Sequence, residues 1–201
     1  MGIRRGLHRS NIENTEGPFL TDRQIIAEVL AGNTPVYAEL IRRYEGQVAA
    51  TVIGMLGKTA EAEDVAQEVF IRFYRALPRF RHDSAVATYL TRIAINLSLN
   101  ALQRRKKQKE LFRENNDNQL SGIPAAEENE HSEEIRLIRR AITQLDEDQR
   151  AVIVLRLIDG YSTKETAEIL NIPLGTVLSR LNRAQKKLRQ ILTPLLEVNN
   201  G

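Results

Sequence analysis

From Thr21 to Leu192 the apolar residues recur at three- and four-residue steps, and a single polar stretch interrupts the pattern. That period belongs to one face of an α-helix, and no run alternates in twos for long enough to make a half-buried strand. An all-α fold is therefore expected. Thr21-x-x-Gln24 reads as a capping box ahead of Ile25, Ile26 and Val29. Thr34-Pro35 reads as the N-cap and first residue of a helix running through Val36, Leu40, Tyr44, Val48 and Val52. A third helix is expected from about Ala60 to Ala76. Val65, Val69, Phe70, Phe73 and Leu77 make its apolar face and Pro78 ends it. A fourth starts near Ser84, carries Leu90, Ile93, Ala94, Leu97 and Ala101, and runs into the basic cluster Arg104, Arg105, Lys106, Lys107 and Lys109.

The interruption lies at residues 115–129, where Asn115-Asn116-Asp117-Asn118 and Ser121-Gly122-Ile123-Pro124 supply turn residues in acidic surroundings. So polar a segment buries too little apolar surface to offset its ordering entropy. The chain thus divides into an extension over 1–20 expected to be disordered, a helical body over 21–109, a flexible acidic linker over 110–131 and a second helical body over 132–196. In the second body Ile135, Ile138, Ile142 and Leu145 are expected to face inward, Asp146-x-x-Gln149 to cap the next helix and Gly160 to stop it.

Charge follows the same division. The net charge of +3 is modest, but basic residues crowd 104–109 and 164–189, while Arg113 is the only Lys or Arg between Glu110 and Glu134. Two basic regions separated by an acidic one suggest two polyanion contacts on separate bodies. Without cysteine, neither a disulfide framework nor a thiolate metal site is possible. The three histidines, His8, His82 and His131, have no metal-ligand spacing, and no phosphate-binding glycine loop or serine elbow is present. Neither catalysis nor a metal or cofactor is expected. No apolar run approaches a membrane span and residues 1–20 lack the apolar stretch of a signal peptide, so the expectation is a soluble cytoplasmic chain with no direct membrane insertion.

The most informative stretch is Ser162 to Leu192. Ser162-x-x-Glu165 reads as a capping box for a short helix carrying Ala167, Ile169 and Leu170. Asn171 tolerates the left-handed conformation of a tight turn, and Pro173 suits the start of the next helix. That helix buries Val177, Leu181, Ala184, Leu188 and Leu192 and presents Thr176, Ser179, Arg180, Asn182, Arg183, Lys186 and Lys187 on its other side. A short helix, a tight turn and a second helix with a basic, hydroxyl-rich face describe a helix-turn-helix entering a major groove. Arg pairs with guanine, Ser, Thr and Asn reach base edges or phosphates, and Gly175 permits close approach. Taken alone, the motif leaves open a repressor, an activator or a packed helical hairpin.

Two further blocks narrow the reading. Ala62-Glu63-Asp64-Val65-Ala66-Gln67-Glu68-Val69-Phe70 is followed by Phe80-Arg81-His82-Asp83-Ser84 and by Thr88-Tyr89-Leu90-Thr91-Arg92-Ile93-Ala94-Ile95-Asn96. With Pro173-Leu174-Gly175-Thr176-Val177 and Ser179-Arg180, these resemble, in order, the signatures of the extracytoplasmic-function (group IV) sigma factors of the sigma-70 family. The resemblance implies a region 2 helical bundle over 21–109 and a region 4 helix-turn-helix over 132–196. It implies that Asp64, Gln67, Glu68 and Arg72 meet the clamp helices of the largest subunit of core RNA polymerase, with a further contact at the flap region. It also implies that the loop from Phe80 to Ala85 captures an extruded base of the −10 element. Unstacking a base costs a few kcal/mol, which a pocket and a stacking surface must offset. Phe80, Arg81, Asp83, Ser84, Tyr89, Arg92 and Asn96 are the candidates, with Arg104 and Arg105 on adjacent phosphates. Gly175, Thr176, Ser179, Arg180, Asn182, Arg183 and Lys186 are the candidate −35 contacts. An anti-sigma factor is an implied partner beside promoter DNA.

Departures from the family pattern carry their own expectations. Val86 stands where an aromatic is usual and Tyr89 where tryptophan is usual, which implies a less aromatic melting surface. Leu178 stands where many members have arginine, so one −35 contact is missing. A helix-turn-helix activator or repressor acting outside the polymerase is the alternative, but it leaves the block from Phe80 to Asn96 without a role.

Overall fold

The computed structural model describes residues 20–115 and 133–199. Among them are eight α-helices and no strand: α1 (Asp22–Leu30), α2 (Tyr37–Leu56), α3 (Ala60–Ala76), α4 (Val86–Asn115), α5 (Glu133–Thr143), α6 (Glu147–Ile153), α7 (Thr163–Leu170) and α8 (Leu174–Asn199). Residues 1–19 and the greater part of the expected linker lie outside this description. The linker's expected start at 110 falls inside α4, which stays helical to Asn115. The basic residues there are good helix formers, and the first turn-forming Asn sits at the helix end.

Local chemistry sets most boundaries. Thr21 caps α1 in a complete capping box with Gln24, and Thr59 accepts from the Ala62 N–H at the start of α3. Ahead of α2, Asn33 takes the cap position and Thr34–Val36 form a 3₁₀ turn carrying Pro35, one residue earlier than expected. Ser162 and Glu165 cap α7 reciprocally, and Asn171 ends it at φ +52°, the left-handed geometry expected of it. Pro173 stands immediately before α8 rather than within it, its carbonyl accepting from Thr176 and Val177. Asp146 occupies the N-cap of α6 but its side chain makes no capping bond; it pairs instead with Lys187 of α8 at 3.4 Å.

Between α6 and Gly160 the chain widens into a π-helical segment, Val154–Ile158, which the periodicity gives no sign of. Its extra residue turns Asp159 and Tyr161 toward α2 and α4, and Gly160 takes φ +73° to make the turn. In α5, Ile142 and Leu145 beyond it are buried, but Ile135 and Ile138 are each 47% exposed, against the inward placement expected. The C-terminal part of α5 sinks into the core, whereas in the preceding turns Arg136 and Leu137 are half-buried and Ile135 and Ile138 face outward.

Helices α1 to α4 pack around Leu40, Val52, Met55, Val69, Phe73 and Leu90, all buried. The same apolar cluster extends into Val154, Leu155, Tyr161 and Ile169 of the C-terminal half, so the halves rest on one another instead of standing apart. Gly54 of α2 permits that contact: a Cβ there would come within 2.9 Å of Val154 Cγ2 and 3.1 Å of Ile158 Cδ1. Valine has little freedom to move aside, so a residue without a side chain is what the approach requires.

Candidate polymerase and nucleic-acid interfaces

The turn following α3 brings four aromatic rings together. Phe73 is fully buried, with its centroid 5.5 Å from Phe80 and 5.6 Å from Tyr89, and Phe80 lies 5.1 Å from Tyr89. His82, in the left-handed region at φ +58°, sets its ring 4.7 Å from Phe80. The Phe73–Phe80, Phe80–Tyr89 and Phe80–His82 pairs are edge-on, a geometry that adds stability beyond the area buried, while Phe73 and Tyr89 are tilted at 49°. Phe80 and Tyr89 are half-buried, so each offers one face to the protein and retains some open surface.

Around this cluster the polar residues reach outward. Arg81 and Asp83 are highly exposed and pair with each other at 3.2 Å. Ser84 and Arg92 are half-buried and Asn96 is exposed. Tyr89, Arg92 and Asn96 follow one another along a face of α4 at three- and four-residue spacing. Val86, by contrast, is buried at the start of α4.

The second group lies on α3. Asp64 and Gln67 are exposed, and Arg72 donates to Glu68 at 2.8 Å one turn away. Exposed i, i+4 pairs of this type contribute only a few tenths of a kcal/mol, which leaves both groups free to exchange partners. A broad, open groove runs between this face and the C-terminal half of α4, lined by Asp64, Glu68, Arg72 and Arg104 among others. The basic cluster is not uniform. Arg104 is exposed, whereas Arg105 folds back on Glu61 and lies 3.4 Å from the Thr59 hydroxyl, tying α4 to the start of α3.

The third group is on α8. Val177 and Ala184 are fully buried, which fixes the helix's rotation and leaves Gly175, Ser179, Asn182, Arg183 and Lys186 exposed on the far side. Thr176 is half-buried, and Ser179 Oγ donates to its carbonyl at 3.0 Å. Arg180 differs from the others: it donates to Asp148 of α6 at 2.6 Å, while Lys187 pairs with Asp146. One flank of α8 is thus tied to α6, and the remaining candidates stay open.

A fourth set of residues was not singled out by the sequence. The Tyr161 hydroxyl is 3.0 Å from that of Thr91, and Gln47 Nε2 donates to both oxygens, at 3.3 and 3.0 Å. The Thr51 hydroxyl stands 3.0 Å from the Asp159 carboxylate. Arg150, 7% exposed, donates to the carbonyls of Met55 at 2.6 Å and Leu145 at 3.0 Å, and to that of Thr143. Burial lowers its pKa from the ordinary arginine value, opposed by the Glu147 carboxylate. Burial likewise raises the hydroxyl pKa values of Tyr37, which donates to the Phe70 carbonyl at 2.7 Å, and of Tyr44. The bonds of Gln47 and Thr91 to Tyr161, of Thr51 to Asp159 and of Arg150 to Met55 join the halves, whereas those of Tyr37 and Tyr44 stay within the first. Of the small residues spaced along α2, only Gly54 lies at this contact; a Cβ at Gly46 would touch nothing.

No helix among the described residues is long and apolar enough to cross a membrane, and no cluster of His, Cys, Asp or Glu among them is arranged to hold a metal.

Comparison with known proteins assigns the two halves. Residues 40–108 match Sigma-70 region 2, and residues 135–188 match Sigma-70, region 4. The RNA polymerase sigma-H factor of Pseudomonas aeruginosa is 35% identical over 184 residues, covering 87% of this chain and 95% of the relative. The ECF RNA polymerase sigma-E factor of Escherichia coli is 38% identical over 186 residues, covering 88% and 97%. Among solved structures, the sigma factor RpoE in complex with the anti-sigma factor NepR from Bartonella quintana shares the fold. Its TM-score is 0.63 at 22% identity, covering 78% of this chain and 96% of that one. CnrH in complex with the cytosolic domain of CnrY aligns with a TM-score of 0.59 at 27% identity, covering 85% and 96%. The chain therefore belongs to the sigma-70 family, as an RNA polymerase sigma factor of the extracytoplasmic-function type.

Proposed function

We propose that this sigma factor divides its work among three exposed surfaces. Asp64, Gln67, Glu68 and Arg72 on α3 dock on the clamp helices of core polymerase, with a further contact from the C-terminal half to the flap region. Phe80, Arg81, Asp83 and Ser84, with Tyr89, Arg92 and Asn96 on α4, receive an extruded base of the −10 element, while Arg104 holds a neighbouring phosphate. Arg105, held by Glu61, positions the end of α4 and reaches DNA only by exchanging that partner. Gly175, Thr176, Ser179, Asn182, Arg183 and Lys186 on α8 read the −35 element, and Arg180 joins them by releasing Asp148. Residues 21–109 and 132–196 are the working units. The observation that carries this reading is the outward face of α8: its opposite side is sealed by Val177 and Ala184, so the Arg183 side has no role in the core.

The reading is tested by run-off transcription with core polymerase on a library of genomic promoters, where the full chain is expected to give promoter-dependent transcripts. Arg183→Ala is expected to weaken −35 recognition by about 1–3 kcal/mol, the value of a good base contact. Promoter affinity and sequence preference equal to wild type would remove Arg183 from the reading face. On α4, Asn96→Ala is expected to slow open-complex formation while leaving closed-complex affinity within about twofold, because Asn96 is exposed and its loss does not disturb packing. Equal loss at both steps, measured by permanganate reactivity and by gel shift, would contradict a melting role.

An anti-sigma factor is the further partner; the structurally similar RpoE is in complex with the anti-sigma factor NepR, and CnrH with the cytosolic domain of CnrY. Work at promoters places the chain in the cytoplasm, where it acts as a regulatory subunit and leaves catalysis to the polymerase.

A further inference from the structure

The two flanks of α8 are built differently. On one, Arg180 and Lys187 are tied to Asp148 and Asp146 of α6. On the other, Leu174 and Leu178 lie one turn apart, 47% and 49% exposed. At about 100° per residue, Leu178 stands roughly 40° around the helix from Asn182 and about 60° from Gly175. It therefore borders the reading face, between that face and the stripe containing Val177. A Cβ added at Gly175 would touch nothing, so the helix start presents bare backbone there and a duplex can approach closely. The residues beside the leucines are amide and cationic, which selects a polyanion as what meets this surface.

An apolar side chain at that place has few chemical partners on a duplex. In the major groove, base edges display hydrogen-bond donors and acceptors, and the sole apolar group is the 5-methyl of thymine. We propose that Leu178, with Leu174 beside it, packs on the 5-methyl group of a thymine in the −35 element and makes this sigma factor select thymine there by apolar contact. The inference rests on the assignment of α8 as the −35 reader. What it adds is the identity of one base and the group that recognises it. Where arginine would contribute charge and hydrogen bonds, leucine contributes only buried area, so its contact disappears with the methyl.

Replacing thymine by uracil removes that methyl and leaves every hydrogen-bonding edge intact. The experiment measures competition by promoter duplexes for reconstituted holoenzyme, each duplex carrying uracil at one thymine of the −35 footprint. At one position uracil is expected to weaken binding about threefold to fivefold, the effect of one buried methyl. For Leu178→Ala the thymine-to-uracil ratio at that position is expected to fall to about one. Leu178→Met, which keeps an unbranched apolar reach, is expected to restore most of it. Leu178 is exposed, so both variants keep the fold, and circular dichroism checks that they do. Indifference of the wild-type holoenzyme to uracil at every position, or the same ratio in Leu178→Ala, overturns the inference while leaving α8 a −35 reader. A wild-type holoenzyme blind to all −35 sequence changes overturns the assignment of α8 itself.

Discussion

Phe73→Ala is expected to destabilise the N-terminal half by about 3–5 kcal/mol and to abolish open-complex formation at temperatures where the chain still folds. The size follows from the site. Phe73 is fully buried, and its ring contacts Phe80 and Tyr89 at 5.5 and 5.6 Å and Tyr37 at 6.5 Å. Truncation loses the transfer free energy of the ring and leaves a cavity that three other aromatics line, so it removes their paired contacts as well. The functional loss follows from position. Phe80 and Tyr89 hold their exposed edges in place only because Phe73 supports their inner faces. Urea unfolding gives the stability term, and permanganate reactivity of promoter thymines gives the melting term. Phe73→Leu keeps most of the volume and is expected to recover over half of the stability but little of the melting activity. A loss below about 1 kcal/mol in Phe73→Ala would show that the cluster can collapse around the gap, and normal melting in either variant would show that Phe80 and Tyr89 need no platform.

The contrast between Phe73 and Asn96 shows which part of the site could be read from the sequence. The amphipathic pattern of α4 distinguishes an outward Asn96 from an inward Leu90, and the resemblance to a known motif then suggests the role proposed for the outward residue. Nothing local distinguishes the platform from ordinary core. Phe73, Phe80 and Tyr89 meet through the turn at Leu77–Arg79 and the loop beyond it, a geometry the spacing alone does not determine. The same limit applies to Arg105, whose cationic neighbours suggest a phosphate contact but give no sign that Glu61, 44 residues away, stands beside it.

Helix boundaries were legible wherever the controlling chemistry is short-range. Thr21, Thr59 and Ser162 act within three residues of themselves, and Asn171 acts through its own backbone. Asp146 has the same local signature as Ser162, yet it is drawn to Lys187, 41 residues ahead, because a full positive charge competes well with a backbone N–H for an exposed carboxylate. Gly54 reads in sequence as a weak point of α2; its purpose is visible only with Val154 against it. The contact between the halves is of this kind throughout. Gln47 and Tyr161 are separated by 114 residues, and Thr51 and Asp159 by 108. A periodicity argument sees two amphipathic sets and an acidic interval, and from those it expects two separate bodies. The buried hydroxyls of Thr51, Thr91 and Tyr161 and the single close approach at Gly54 that bring the bodies together leave no mark in that period.

Arg150→Met is expected to cost about 2–4 kcal/mol in the C-terminal half and also to loosen its hold on α2. Three carbonyl acceptors converge on this guanidinium, from Met55, Thr143 and Leu145. Methionine fills similar space with an adaptable apolar chain, so the loss is chiefly the cost of leaving those buried carbonyls unpaired, about 1–3 kcal/mol each, less what is regained by no longer burying a charge. Arg150→Lys keeps the charge, but a single ammonium cannot span three acceptors that a planar fork reaches together, so about half of the loss should remain. The division of the bonds makes the result diagnostic. Nη2 stays within the C-terminal half, whereas Nη1 crosses to the last turn of α2. Amide exchange should therefore quicken at Leu145 and Ala151 and, independently, where α2 meets the π-helical segment. Faster exchange in the C-terminal half alone would mean that the Met55 bond contributes nothing to holding the halves together. The apolar contact of Gly54 with Val154 and the Tyr161 hydroxyl network would then carry that joint without it.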